Sequence, residues 1–219
     1  MGEKGPGVCD AEGGLDPTDD RHVEAAVVEP RRERVEAGDG LDLGHHDAGE
    51  SFEILYAMYR FKEAGMQPVL AATKKKRLNG VIHDFYPGWN TYIEKPGYLI
   101  EADVAISQVK AKDYDAMVLM GGRAPEFLRH HKGLIRLVKQ FHQLGKGLFS
   151  VCHGIQILIA AGLCQGKKMT CYCNVRLELE LAGGKWINKE SVCDGQFITA
   201  QTWESHADFY RDVFNYLES

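Results

Sequence analysis

Cys152, His153 and Gly154 follow directly on the apolar run Leu148 to Val151 and precede the helical run Ile155 to Ala161, which ends at Gly162. A thiol, an imidazole and a residue without a side chain at a strand-to-helix junction have the make-up of a nucleophile elbow, where a sharp turn presents one reactive atom. A helix N-terminus sets amide donors and partial positive charge beside the sulfur and favours thiolate over thiol. A free cysteine, by contrast, titrates near pH ~8.5 and is little ionised at neutrality. His153 is the adjacent candidate base. A thiolate so placed attacks electrophilic carbon, whether carbonyl or amide. The alternative for the same residue is a buried structural cysteine.

Such a junction needs a sheet to carry it. Asp115 to Met120 is a compact apolar run that ends at Gly121-Gly122, as a buried strand does on entering a tight turn. Pro125 predicts a helix start, with Phe127, Leu134, Val138, Phe141 and Leu144 on one face and Gly145 at its end. Ile54, Leu55, Met58 and Phe61 recur at helical spacing up to Gly65, and Pro68 to Ala72 reads as a strand. Residues 74–97 mix Pro, Gly and aromatics without a period and are expected to leave the core. Residues 175–181 (VRLELEL) fit a half-buried strand by alternation and a helix by composition, and both stay open. Phe197 to Ala200 predict a strand; Phe209, Val213, Tyr216 and Leu217 predict a closing helix. Strands separated by single helices give a three-layer α/β/α domain with a mostly parallel sheet, and ligands of such sheets gather beyond the carboxyl ends of the strands.

Residues 1–45 differ from residues 46–219. The first 50 residues hold no Phe, Trp, Tyr or Ile, and 14 acids against five bases; all 21 aromatics lie from Phe52 onward. So little apolar surface cannot offset the entropy of ordering the chain, so residues 1–45 are expected to be disordered, with only Val23 to Val28 able to pair as a short strand. Arg31 to Arg34 reads as a solvated charge run. A formal net charge of −5 argues against nucleic acid or an anionic membrane as partner, and no apolar run reaches spanning length or resembles a secretory signal. The chain reads as soluble and cytoplasmic, its six cysteines reduced. Neither GxxxxGK[ST] nor GxGxxG occurs at a strand-to-helix turn, so no nucleotide cofactor is expected; no metal is expected either.

SVCHGIQILIAAGL, with HDF at 83–85, TYIEKPGY at 91–98, YDAMVLMGGRAPE at 114–126 and TAQTW…H ending at His206, resembles the PfpI family of intracellular proteases, glyoxalase III enzymes and protein deglycases. The resemblance covers about residues 50–217. It implies a flavodoxin-like sandwich of the class I glutamine amidotransferase type, Cys152 as nucleophile, and a first-helix glutamate hydrogen-bonded to it. Twelve residues before Gly65 that glutamate is Glu53, and Glu50 is a second acidic position. His153 follows the nucleophile, and Glu126 matches the glutamate that completes a triad across a subunit interface in some members. Amides of Gly122 and His153 are the candidate oxyanion hole. Glu50, Gly121, Arg123, Tyr172 and His206 are the expected substrate-binding residues. Dimers or hexamers are implied.

Two departures stand out. Asp39 to His46 (DGLDLGHH) is too polar for the family's first strand, which is therefore expected to be degenerate or differently paired. Cys171-Tyr172-Cys173 replaces the Ala-Tyr-Pro of many relatives and reads as two buried thiols; His45-His46-Asp47 reads as a solvated loop rather than a metal site. Three functions compete: a cysteine enzyme acting on small reactive aldehydes or glycated proteins and peptides, a peptidase or amidase, and a redox sensor or chaperone with an oxidisable Cys152. The first asks least of the site, an activated sulfur and one proton shuttle.

Overall fold

The computed structural model of the chain describes residues 23–26 and 48–218. Eleven strands and six α-helices are formed by them. The strands are β1 (Val23–Ala26), β2 (Val69–Ala72), β3 (Arg77–Asp84), β4 (Ile93–Glu101), β5 (Val104–Ala105), β6 (Ala116–Leu119), β7 (Gly147–Val151), β8 (Lys168–Met169), β9 (Lys185–Trp186), β10 (Ser191–Asp194) and β11 (Phe197–Ala200). The helices are α1 (Ser51–Glu63), α2 (Ala124–Leu128), α3 (Lys132–Gln143), α4 (Ile155–Ala160), α5 (Arg176–Leu181) and α6 (His206–Leu217).

The main sheet has seven strands in the order β10-β11-β7-β6-β1-β2-β5. Its neighbours run parallel except β10 against β11. This is the α/β arrangement that the alternation of strands and helices predicts, in the flavodoxin-like form that the family resemblance implies. β6 and β7 are buried along their whole length, as strands covered on both faces must be, and their residues read as continuous apolar runs for that reason.

Four sequence expectations need correction or completion. First, the sheet does have a strand at the first position: β1, within the Val23 to Val28 stretch, pairs with β2 on one side and β6 on the other. The expected disorder of residues 1–45 otherwise falls outside the described residues, as do the Arg31 to Arg34 run, DGLDLGHH and His45-His46-Asp47. Second, the single helix expected after Pro125 is two, because the chain turns at His130-His131 and His131 caps α3, its Nδ1 accepting from Leu134 N–H at 3.0 Å. Leu144, counted on the buried face, is 53% exposed beyond the helix end.

Third, the excursion at 74–97 does leave the main sheet, but it is regular. β3 and β4 form an antiparallel hairpin with an irregularity between Asn79 and Val81. The hairpin docks on the start of α1 through Ser51, whose Oγ accepts from Tyr98 N–H at 3.1 Å. Only glycine permits that approach: a Cβ at Gly80 or Gly97 would stand 2.4 or 2.2 Å from the same oxygen. Fourth, 176–181 is the helix α5, with Leu179 buried and Leu177 and Leu181 exposed, so the alternation there reflects no sheet.

Candidate active site around Cys152

β7 ends at Val151, and Cys152 takes a left-handed φ of 57°, a conformation that costs a side-chain-bearing residue energy and marks the elbow. A short 3-10 turn over Cys152–Gly154 leads into α4. The elbow closes onto the end of β6 because two glycines lie there. A Cβ on Gly154 would sit 2.1 Å from Leu119 O, and one on Gly121 would sit 2.6 Å from Cys152 Cβ and 2.9 Å from Glu53 Oε2. α4 spans six residues, so its dipole is smaller than a long helix would supply.

Glu53 lies on the inward face of α1 with Ile54, Ala57 and Phe61 and is fully buried. Its Oε2 accepts from Gly121 N–H, and its Oε1 has no protein partner of ordinary hydrogen-bond geometry. Burial, with the neighbouring Glu50 charge behind it, pushes Glu53 well above the usual carboxylate range and so favours its protonated form. Glu50 is raised to about 7, again chiefly by burial. Glu50 was expected to touch substrate. It is instead the buried N-cap of α1, accepting from Glu53 N–H at 2.8 Å and from His83 N–H at 3.4 Å.

The sulfur has the neighbours expected and a different protonation. His153 Nδ1 lies 3.2 Å from Cys152 Sγ, and the amides of His153 and Gly122 act on the sulfur as hydrogen-bond donors. Yet Cys152 is 2% exposed, and burial, reinforced by Glu53, raises its thiol well above the ordinary cysteine value. The thiolate expectation is therefore corrected: loss of solvent around the sulfur outweighs two amide donors and a short helix. His153 is neutral, its pKa lowered to about 4 by burial and then by His83.

Around His153 stands an aromatic cage. Tyr172 lies 5.1 Å and Tyr92 5.7 Å from its ring, with His83 at 6.3 Å. Tyr172, expected near substrate, thus forms a wall, held by Asn174 and Thr91 through its hydroxyl. His83 stacks on Tyr92 at 3.7 Å and meets Glu94 Oε2 through Nε2 at 3.0 Å. Arg123, also expected to bind substrate, is forked onto Glu94: Nε engages Oε2, and Nη2 donates to Oε1 at 2.7 Å. Gly121 holds Glu53, and Gly122, at φ 78°, passes so close to the chain before α1 that a Cβ would lie 2.3 Å from Ala48 O.

Glu126, expected to reach His153 from a neighbouring subunit, is exposed in the first turn of α2 beside Arg123, and within the single chain His153 hydrogen-bonds Cys152. One expected residue is elsewhere. His206 is buried at the start of α6 against Tyr56, ring centroids 4.7 Å apart, and lines a cavity of about 410 Å³ with Phe52, Leu55, Tyr56, Tyr59 and Trp203. That cavity faces the outer side of α1 and includes neither Cys152 nor Glu53. Cys171 is buried and Cys173 exposed, correcting the pair of buried thiols; the five described cysteines are free. No group of three potential metal ligands occurs among the described residues. His83, Tyr92 and Glu94 were not singled out as site residues, although the fragments HDF and TYIEKPGY contain all three.

Residues 44–215 match the sequence profile described as DJ-1/PfpI family. Protein DJ-1 homolog D of Arabidopsis thaliana is 35% identical over 178 residues, which are 78% of this chain and 46% of that protein. Deglycase TK1284 of Thermococcus kodakarensis is 34% identical over 155 residues, 71% of this chain and 85% of that one. Among solved structures, a two-domain protein of Anabaena variabilis with DJ-1/ThiJ/PfpI-like and ferritin-like domains superposes with a TM-score of 0.73 at 23% identity, covering 90% of this chain and 48% of that chain. The chain thus spans about half the length of the plant relative and of the two-domain protein.

Proposed function

This chain belongs to the DJ-1/PfpI family, and on that premise we propose that it is a cofactor-independent cysteine enzyme acting on reactive carbonyls, with Cys152 as nucleophile. Relatives that share most of their length with it are named deglycases, which supports the same class of substrate. The observation that carries the reading is one buried sulfur with a neutral imidazole at 3.2 Å and a fully buried glutamate whose carboxyl is held well above the usual range.

In the proposed reaction Cys152 Sγ bonds to the aldehyde carbon while its proton passes to His153 Nδ1, and the carbonyl oxygen collects a proton to give a hemithioacetal. In this reaction the amides of Gly122 and His153, which donate to the sulfur, steady developing negative charge, and Glu53 supplies or takes back a proton. For a 2-oxoaldehyde the aldehyde-derived C–H proton then moves to the neighbouring carbon by way of an enediol. One carbon is oxidised to the thioester level as its neighbour is reduced to an alcohol, so no external oxidant enters. Water hydrolyses the thioester to a 2-hydroxy acid and regenerates the thiol. With an aldehyde–amine adduct the S–C bond forms as the C–N bond breaks, the departing amine takes the thiol's proton, and the same hemithioacetal is left on Cys152.

The test is lactate formation from methylglyoxal without added glutathione. Wild-type protein is expected to form lactate and Cys152→Ser to lose at least ~99% of that rate; a Cys152→Ser variant as active as wild type overturns the proposal.

A further inference from the structure

Arg123 follows the Gly121-Gly122 turn that serves Glu53 and Cys152, a place from which an arginine can reach a substrate anion. Its guanidinium is spent on Glu94, bidentately, and Glu94 also holds His83, whose ring lies 6.3 Å from His153. Glu94 is held below the usual carboxylate range: burial pushes it up, and hydrogen bonds from Arg123 and His83 outweigh that. The pair Arg123–Glu94 therefore contributes no net charge. Burial lowers both His83 and His153, leaving two neutral imidazoles. Burial favours the protonated form of Glu53, Glu50 adds at most one negative charge, and Glu126 acts on the same arginine from the solvent side. Summed over these groups, the surroundings of the sulfur are neutral to negative.

We propose that Glu94 is a specificity-determining residue: by cancelling Arg123 it reserves Cys152 for uncharged carbonyl compounds and disfavours electrophiles that carry a carboxylate. The inference deepens, and rests on, the reading of Cys152 as a carbonyl-adding thiol. A site meant for anionic aldehydes would leave such an arginine available, because a carboxylate in a site of low polarity needs a paired cation.

Iodoacetamide and iodoacetate test this directly, since they share the reacting carbon and leaving group and differ in charge. With each, sulfur bonds to the methylene carbon, iodide leaves and the thiol proton passes to His153 or solvent. The rates of Cys152 modification are read from the mass of its peptide. Wild-type protein is expected to favour iodoacetamide. Glu94→Gln should shift the rate ratio towards iodoacetate about threefold to tenfold, the size of effect for one uncovered charge acting through a partly screened site. Arg123→Gln should shift it the other way, and the double variant should return close to wild type. An unchanged ratio in Glu94→Gln, or a double variant that keeps the Glu94→Gln ratio, overturns the proposal; a general loosening of the fold raises both rates together and also counts against it. If Glu94→Gln does not fold, Arg123→Gln decides by the same ratio. Protection of wild-type Cys152 by methylglyoxal is measured alongside: its failure removes the carbonyl reading while the ratio still judges the charge of the site.

Discussion

At the scale of single residues, the site is governed by burial more than by its partial charges. Cys152 and Glu53 are both taken out of water, which favours their neutral forms, and whichever loses its proton first raises the other. Alkylation of Cys152 by iodoacetamide is therefore expected to keep rising with pH through 9 rather than level off near 7. Glu53→Gln, which removes one charge of the pair, should lower the midpoint of that profile; a midpoint that stays or rises contradicts the coupling. Gly154 offers a steric test. Its missing Cβ would lie 2.1 Å from a backbone oxygen that cannot swing away, so Gly154→Ala is expected to cost about 3 kcal/mol or more in denaturant unfolding.

At the scale of elements, three segments distant in sequence meet at the sulfur. α1 brings Glu53, the turn after β6 brings Gly121 and Gly122, and the β3–β4 hairpin brings His83, Tyr92 and Glu94. β1 joins the first two groups indirectly, because it pairs with β2 and β6 and so fixes the middle of the sheet. Ala25 is matched to Leu70 on one side and Val118 on the other. A proline there removes an N–H from a central ladder, and Ala25→Pro should lower stability by about 3 kcal/mol. Calorimetry that shows an unchanged melting temperature would remove β1 from the cooperative unit.

At the scale of the whole molecule, buried carboxyls and buried imidazoles act on the pH dependence of stability in opposite directions. Glu50 has a folded-state pKa of about 7 against an ordinary 4.5, so between those values the folded chain binds more proton than the unfolded one. Glu50 by itself then lowers stability as pH rises through that window, by up to about 1.4 kcal/mol per unit, while His153 and His206, lowered by burial to about 4, raise it below about pH 6.5. In thermal melts from pH 5 to 8 the stability of wild type relative to Glu50→Gln should therefore fall as pH rises; a difference that stays constant would place the effect elsewhere. No helix among the described residues is long and apolar enough to cross a membrane.

The elbow, its strand and its helix were legible in the sequence because each is a local pattern: an apolar run, Cys-His-Gly, then helical spacing. Glu53 was picked out by the family resemblance, which puts the helix glutamate twelve residues before Gly65, and its burial goes with that of Ile54, Ala57 and Phe61 on the same helix. Tertiary structure alone decided the protonation of Cys152, because desolvation depends on everything packed around an atom and not on its neighbours in the chain. It also decided that Arg123 pairs with Glu94, across 29 residues. His206 was displaced to another face for a like reason, since the register of α6 against α1 is set by packing. Spacing along a chain encodes the face of a helix or the end of a strand; which charges cancel is settled only where separate elements touch.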